Sequence, residues 1–133
     1  MIKRGLKCVG VKAFITVLIL AAQFVPGIAY AKRTAPPAVD PVTSEGARYV
    51  APNDDGRRAY VQAWDIKSIK MLWEVTVFRN PIDPLLEEDV QHVYIKKMSL
   101  VNGKLILVAE DNHKYSLDLK TRVVERLKQA PEN

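Results

Sequence analysis

The dipeptide Asn102-Gly103 lies between two apolar-alternating runs, and no other feature restricts the fold of this chain as strongly. A two-residue link between antiparallel strands takes a type I′ turn with both central residues at positive φ, and Asn-Gly adopts it at least cost. The surrounding text, "VYIKKMSLVNGKLILVAEDNHKYSLDLKTRVVERL", is therefore expected to form a four-stranded antiparallel meander over roughly 92–128. "DNH" (111–113) and "KTR" (120–122) supply its other two turns. Within the first strand, Val93 and Ile95 share one parity while Met98 and Leu100 share the other. A β-bulge at Lys96-Lys97 would bring all four to one face.

Upstream the texture is also β. "ARYVAP" (47–52) reads as a short strand and "NDDG" (53–56) as a turn. "RRAYVQAWD" (57–65) alternates, with Tyr60, Gln62 and Trp64 on one face and Ala59, Val61 and Ala63 on the other. In "MLWEVTVF" (71–78), Trp73, Val75 and Val77 oppose Leu72, Glu74, Thr76 and Phe78. Two prolines keep "RNPIDPLLEEDVQ" (79–91) out of a central strand. It is expected to cross over at about 80–90 with at most a short helix over 84–89, capped by Asp83 and packing Leu85 and Leu86 inward. The chain as a whole reads as an all-β antiparallel meander of about six or seven strands.

Several of these residues fall into a recurring pattern. "AWDIKSIKMLW" (63–73) places Ala63, Asp65, Ser68, Lys70 and Trp73 at the spacing A-x-D-x-x-T-G-K-x-x-W. That motif is the repeat of quinoprotein-type (PQQ-like) β-propeller blades, which the segment resembles, with Ile69 in place of the turn glycine. A second copy in "SLDLKTRVV" (116–124) matches at Ser116, Asp118 and Thr121, with Arg122 replacing the glycine and Arg126 the tryptophan. The two aspartates are 53 positions apart, close to the length of one blade. The resemblance covers about 57–128 and implies blade-like antiparallel sheets with Trp73 as a packing residue. It implies no bound quinone, because a partial ring has no central funnel to hold a cofactor. One isolated blade cannot bury both faces, and propellers close with about 4 to 8 of them. The chain must then oligomerise, cap another propeller, or fold its strands into a small barrel or two-layer sheet; closure of the last kind is favoured because it hides edge strands.

The N-terminus reads as an export signal. "MIKRGLKCVGVK" is basic, "AFITVLILAAQFV" (13–25) is apolar, Pro26-Gly27 breaks it, and "AYA" (29–31) offers the small residues that a signal peptidase requires. The apolar run falls short of the ~18 to 20 residues of a spanning helix, so cleavage after Ala31 is expected, with an uncleaved anchor as the alternative. Four of the 20 basic residues and none of the 15 acids lie in 1–31, which leaves 16 against 15 in the remainder. The overall pI of about 9.4 is thus partly the signal's, and no basic excess remains for nucleic acid. The single cysteine, Cys8, also belongs to the signal, so the remainder carries no disulfide, thiolate site or lipidation cysteine. Residues 32–46, "KRTAPPAVDPVTSEG", read as a proline-containing linker, 47–128 as one small domain and 129–133 as a tail.

Residues suited to chemistry are sparse. Glu87, Glu88, Asp89 and His92 form the one acidic and histidine-bearing segment that could serve a small envelope enzyme or a metal- or ligand-binding protein. His113 with Glu110, Asp111 and Asn112 lacks the regularly spaced oxygens and glycine turn of a calcium loop. Gly46, Gly56 and Gly103 make no phosphate loop. Catalytic, cofactor and metal residues are therefore not assigned. If the Ala59, Val61, Ala63 face is the interior, Tyr60 and Trp64 form an exposed aromatic pair suited to protein or carbohydrate. The chain is read as an exported, non-catalytic binding or scaffolding domain of the bacterial envelope, periplasmic or secreted, with no membrane span after cleavage and homo-oligomerisation open.

Overall fold

The computed structural model describes residues 34–131, which form an all-β unit. The segment read as an export signal, with its expected cleavage after Ala31, lies outside the described residues. Eight strands occur in chain order: β1 (Val42–Ser44), β2 (Ala47–Val50), β3 (Arg58–Asp65), β4 (Met71–Arg79), β5 (Ile95–Val101), β6 (Lys104–Ala109), β7 (Lys114–Asp118) and β8 (Val124–Leu127). They build two four-stranded antiparallel sheets, ordered β1-β2-β3-β4 and β5-β6-β7-β8, each a simple meander. The sheets pack as two layers and do not close into a barrel.

The second sheet is the expected four-stranded meander. Asn102 and Gly103 take φ 48° and 74°, as the type I′ turn requires. The register of β5 on β6 slips between Ile95 and Lys97, which places the bulge at the lysine pair. It turns Ile95 and Met98 inward together, while Leu100 at the strand end remains 38% exposed.

The first sheet starts earlier than composition suggests. Val42–Ser44 lies inside the segment read as a linker, yet it pairs with β2 through a second two-residue hairpin, Glu45-Gly46, at φ 47° and 77°. The sheet thus gains a strand, and β-branched Val42 and Thr43 outweigh the neighbouring prolines. A further departure lies on β4, whose register on β3 shifts at both ends of the pairing. Val77 is the extra residue of one shift, so Phe78 pairs with Ala59 and joins Trp73 and Val75 on the inner face.

The crossover contains no α-helix; a single 3-10 turn, Asp89–Gln91, is its only helical element. Asp83 does accept the Leu85 N–H at 2.9 Å, but the chain leaves this Asx turn directly. Leu85 and Leu86 are 90% and 60% exposed, which corrects their expected inward packing. Gln91 organises the loop instead, with Oε1 accepting from Asp83 N–H and Nε2 donating to the Asp83 and Glu87 carbonyls.

The core lies between the layers. Sheet one contributes Ala47, Tyr49, Ala59, Val61 and Ala63; sheet two contributes Ile95, Met98, Leu105, Leu107 and Leu117. Three of the five from sheet one are alanines, whereas those from sheet two are all large. Phe78 stacks on Tyr115 across the interface with centroids 4.9 Å apart. Buried Asn53, also at positive φ (51°), ties the layers by donating to Ile95 O (2.7 Å) and Pro37 O (2.9 Å) and accepting Ile95 N–H (3.2 Å).

Candidate functional site

The two motif aspartates build the same turn. In the β3–β4 hairpin, Asp65 Oδ1 accepts from Lys67 N–H (2.9 Å) and Ser68 N–H (2.7 Å), and its carbonyl accepts from Ile69 N–H (2.9 Å). In the β7–β8 hairpin, Asp118 Oδ1 accepts from Lys120 N–H (2.8 Å) and Thr121 N–H (3.0 Å), and its carbonyl from Arg122 N–H (2.8 Å). These backbone donors hold both carboxyls below the usual aspartate range. Ile69 and Arg122, standing where the motif has glycine, take φ 56° and 60°. A β-branched residue in that region is a steric outlier.

The likeness extends beyond the turns. Ile66 N–H reaches Gly46 O at 3.0 Å, and Leu119 N–H reaches Gly103 O at 3.2 Å. Ala47 pairs with Asp65 as Lys104 pairs with Asp118. The two sheets therefore share one plan of hairpins and register.

Trp64, one of the expected binding pair, lies on the outward face of sheet one, opposite the Val61 and Ala63 side. Its indole N–H donates to Gln62 Oε1 at 3.2 Å, leaving the ring half exposed. Around it runs a groove of about 390 Å³ lined by Arg48, Val50, Trp64, Asp65, Ile66 and Ile69. Ile66 is 50% exposed, Ile69 77% and Met71, the cross-strand partner of Trp64, 48%. Ile69 is both strained and exposed, so the fold itself gains little from an isoleucine there.

Tyr60 does not join this surface. It is 6% exposed, because the Arg58 guanidinium sits 4.2 Å from its ring centroid and its hydroxyl donates to Asp54. Arg58 is fixed in turn by Glu74 (2.8 Å), Asp55 (3.2 Å) and Thr76 (3.1 Å). Burial, reinforced by the Asp54 carboxylate, pushes the Tyr60 phenol up to about 12. Alternation showed correctly that Tyr60 and Trp64 share a face, but the charged lid closes only the Tyr60 end of it. Of the expected exposed pair only Trp64 lies at this groove, beside half-buried Val50 and exposed Ile66, Ile69 and Met71, whose exposure no period-two pattern announces.

The acidic segment is arranged around an ion pair. Arg57 clamps Glu88 through two bonds of 2.7 and 2.8 Å, which hold that carboxyl low. His92 Nε2 lies 3.6 Å from the same carboxylate, and its ring fills the space beside Gly56, where a Cβ would come within 2.1 Å of it. Glu87 is exposed and Asp89 begins the 3-10 turn. His113 Nδ1 pairs with Asp111 at 2.8 Å. Among the described residues, no group of three or more His, Cys, Asp and Glu side chains is placed to share a metal ion.

Comparison with protein-family models finds no match, and comparison with curated proteins finds none either.

Proposed function

We propose that this chain is an exported, non-catalytic binding domain of the bacterial envelope whose partner docks on the Trp64 face of the first sheet. The observation that carries the reading is the groove itself: Trp64, Val50, Ile66, Ile69 and Met71 present apolar surface at the one hairpin where a strained isoleucine is retained. Aliphatic side chains of that kind suit a protein partner better than the hydroxyls of a carbohydrate.

Edge pairing is less well supported as the mode of binding. β1 and β8 are only three and four residues long, β5 is bulged, and β4 has register shifts at both ends. Short and bulged edges resist addition of a strand, which leaves the face. The matching Asp65 and Asp118 turns support the blade-like reading of both sheets. The signal pattern of residues 1–31 supports export, and no helix among the described residues is long and apolar enough to cross a membrane.

A photo-crosslinking residue placed at position 64 tests the docking reading, with one at exposed Lys120 as control. A discrete adduct at 64 and none at 120 is expected. Equal labelling at both, or none at either, refutes it. Sequencing the N-terminus of the same material should begin at Lys32; an intact Met1 would refute cleavage.

A further inference from the structure

The two sheets share a plan but stack through opposite faces of it. Cross-strand register defines the rows. In sheet one, Val42–Tyr49–Ala63–Trp73 runs across β1 to β4 and faces the core. Its counterpart in sheet two, counted from the shared glycine and aspartate turns, is Ser99–Ile106–Ser116–Glu125. That row alternates with core-facing Leu105, Leu107 and Leu117, so it lies on the outer side of the sheet, where Ser116 is 4% exposed, Ser99 and Ile106 are half-buried and Glu125 is exposed. The converse holds one residue along. Thr43–Arg48–Trp64–Met71 lies on the outside of sheet one, and its counterpart Leu100–Leu105–Leu117–Val124 is turned inward, with Leu105 and Leu117 fully buried.

Such a contact is heterologous: one face of the unit meets the other face of the next. Unlike an isologous contact, it is never exhausted by two units. Sheet one keeps open the kind of face that sheet two buries, and sheet two keeps open the kind that sheet one buries. The apolar character at the open positions fits this. Val50, Trp64 and Met71 stand where sheet two has Leu107, Leu117 and Val124, and half-exposed Ile106 stands where sheet one has Tyr49.

We infer that a second copy of this chain stacks head-to-tail on the first, the Ile106 face of one copy against the Trp64 face of the next, repeating between chains the contact made within each. Charge does not oppose the pairing: the Ile106 face bears Lys97, Lys104 and Lys114 against Asp118 and Glu125, while the Trp64 face balances Asp54, Asp55 and Glu74 against Arg48, Arg58 and Arg79. The contact closes into a ring if its rotation permits and otherwise extends. The inference rests on the Trp64 face being a docking surface and names its occupant.

The test is light scattering of the chain as it accumulates in cells, from micromolar to millimolar concentration, with Trp64→Arg and Ile106→Glu variants whose β-sheet circular dichroism matches the parent. The parent should exceed the mass of one chain as concentration rises. Each variant alone should associate about tenfold or more weakly, as loss of a central interface anchor implies. Mixed, the two should form a one-to-one dimer, because each retains the face that the other has lost. Arg48→Glu and Val108→Glu serve on the same faces if either first variant unfolds. A parent of single-chain mass throughout overturns the inference, and so does a mixture of variants that stays monomeric while the parent associates. An adduct at position 64 containing an unlike protein, with a monomeric parent, rejects self-stacking and leaves the docking reading standing.

Discussion

Asn53 gives the account its most quantitative stability test. Its amide makes three bonds that join the β2–β3 loop to the start of β5 and to the segment at Pro37, at 2.7 to 3.2 Å, and the residue is 7% exposed. In Asn53→Ala, the Ile95 N–H and C=O lose this partner inside the protein. At a net of about 0.5–1.5 kcal/mol per bond, three bonds amount to roughly 2–4 kcal/mol. Alanine must also hold φ 51°, which adds about 1 kcal/mol, whereas Asn53→Gly loses the bonds and escapes that cost. The expected order of stability is parent, then glycine, then alanine, with the last down by about 3–5 kcal/mol, a large share of what a domain of this size possesses. Asn53→Asp keeps the acceptor but sets a carboxylate against two carbonyl oxygens, and at neutral pH it should be no better than alanine. Urea unfolding followed by the fluorescence of Trp64 and Trp73 measures all four. An alanine variant within about 0.5 kcal/mol of the parent would refute the clamp, and a glycine variant no better than alanine would refute the backbone part.

The motif turns predict a gain. Ile69→Gly should stabilise the chain by about 0.5–1 kcal/mol, because a side chain 77% exposed packs little and its positive φ is relieved; a loss in urea unfolding would show that Ile69 is held by contacts within the chain. Tyr60 predicts an alkaline limit. Its pKa is raised to about 12, so its contribution is complete below the ordinary tyrosine value near 10 and is lost as pH rises through about 12. Ultraviolet titration of the parent against Tyr60→Phe should show one phenol ionising near the upper value; a difference spectrum centred near 10 would contradict the Arg58 lid.

What could be read in the sequence was what short-range chemistry decides. Asn102-Gly103 has one low-cost conformation, the lysine pair at 96–97 is the only place where two parities can be reconciled, and an aspartate followed by free N–H groups makes the same turn at 65 and 118. What could not be read depends on neighbours distant in the chain. The first strand is hidden because Pro36, Pro37 and Pro41 dominate its composition, and Glu45 is not a residue that advertises positive φ. Phe78 changes face through a bulge one residue earlier. Leu85 and Leu86 look like core residues but have no layer above them. At the candidate site, alternation put Tyr60 and Trp64 together, yet only the partners of Arg58 determine which of the two is covered. The opposed faces of the two sheets are subtler: the turns coincide while the buried rows differ by one residue, and single-residue parity is visible only once both registers are known.

Nuclear Overhauser contacts of the aromatic rings in solution test the stacking of unlike faces most directly. The Phe78 ring should show contacts to Tyr115, from which it lies 4.9 Å, and Trp73 should show contacts to Tyr49 at 5.8 Å. Within a single chain, the Trp64 indole should show none to Leu105 or Leu117. Contacts from Trp64 to those leucines in a monomeric sample, with Phe78 and Tyr115 apart, would mean that the layers meet through like faces and would contradict the account.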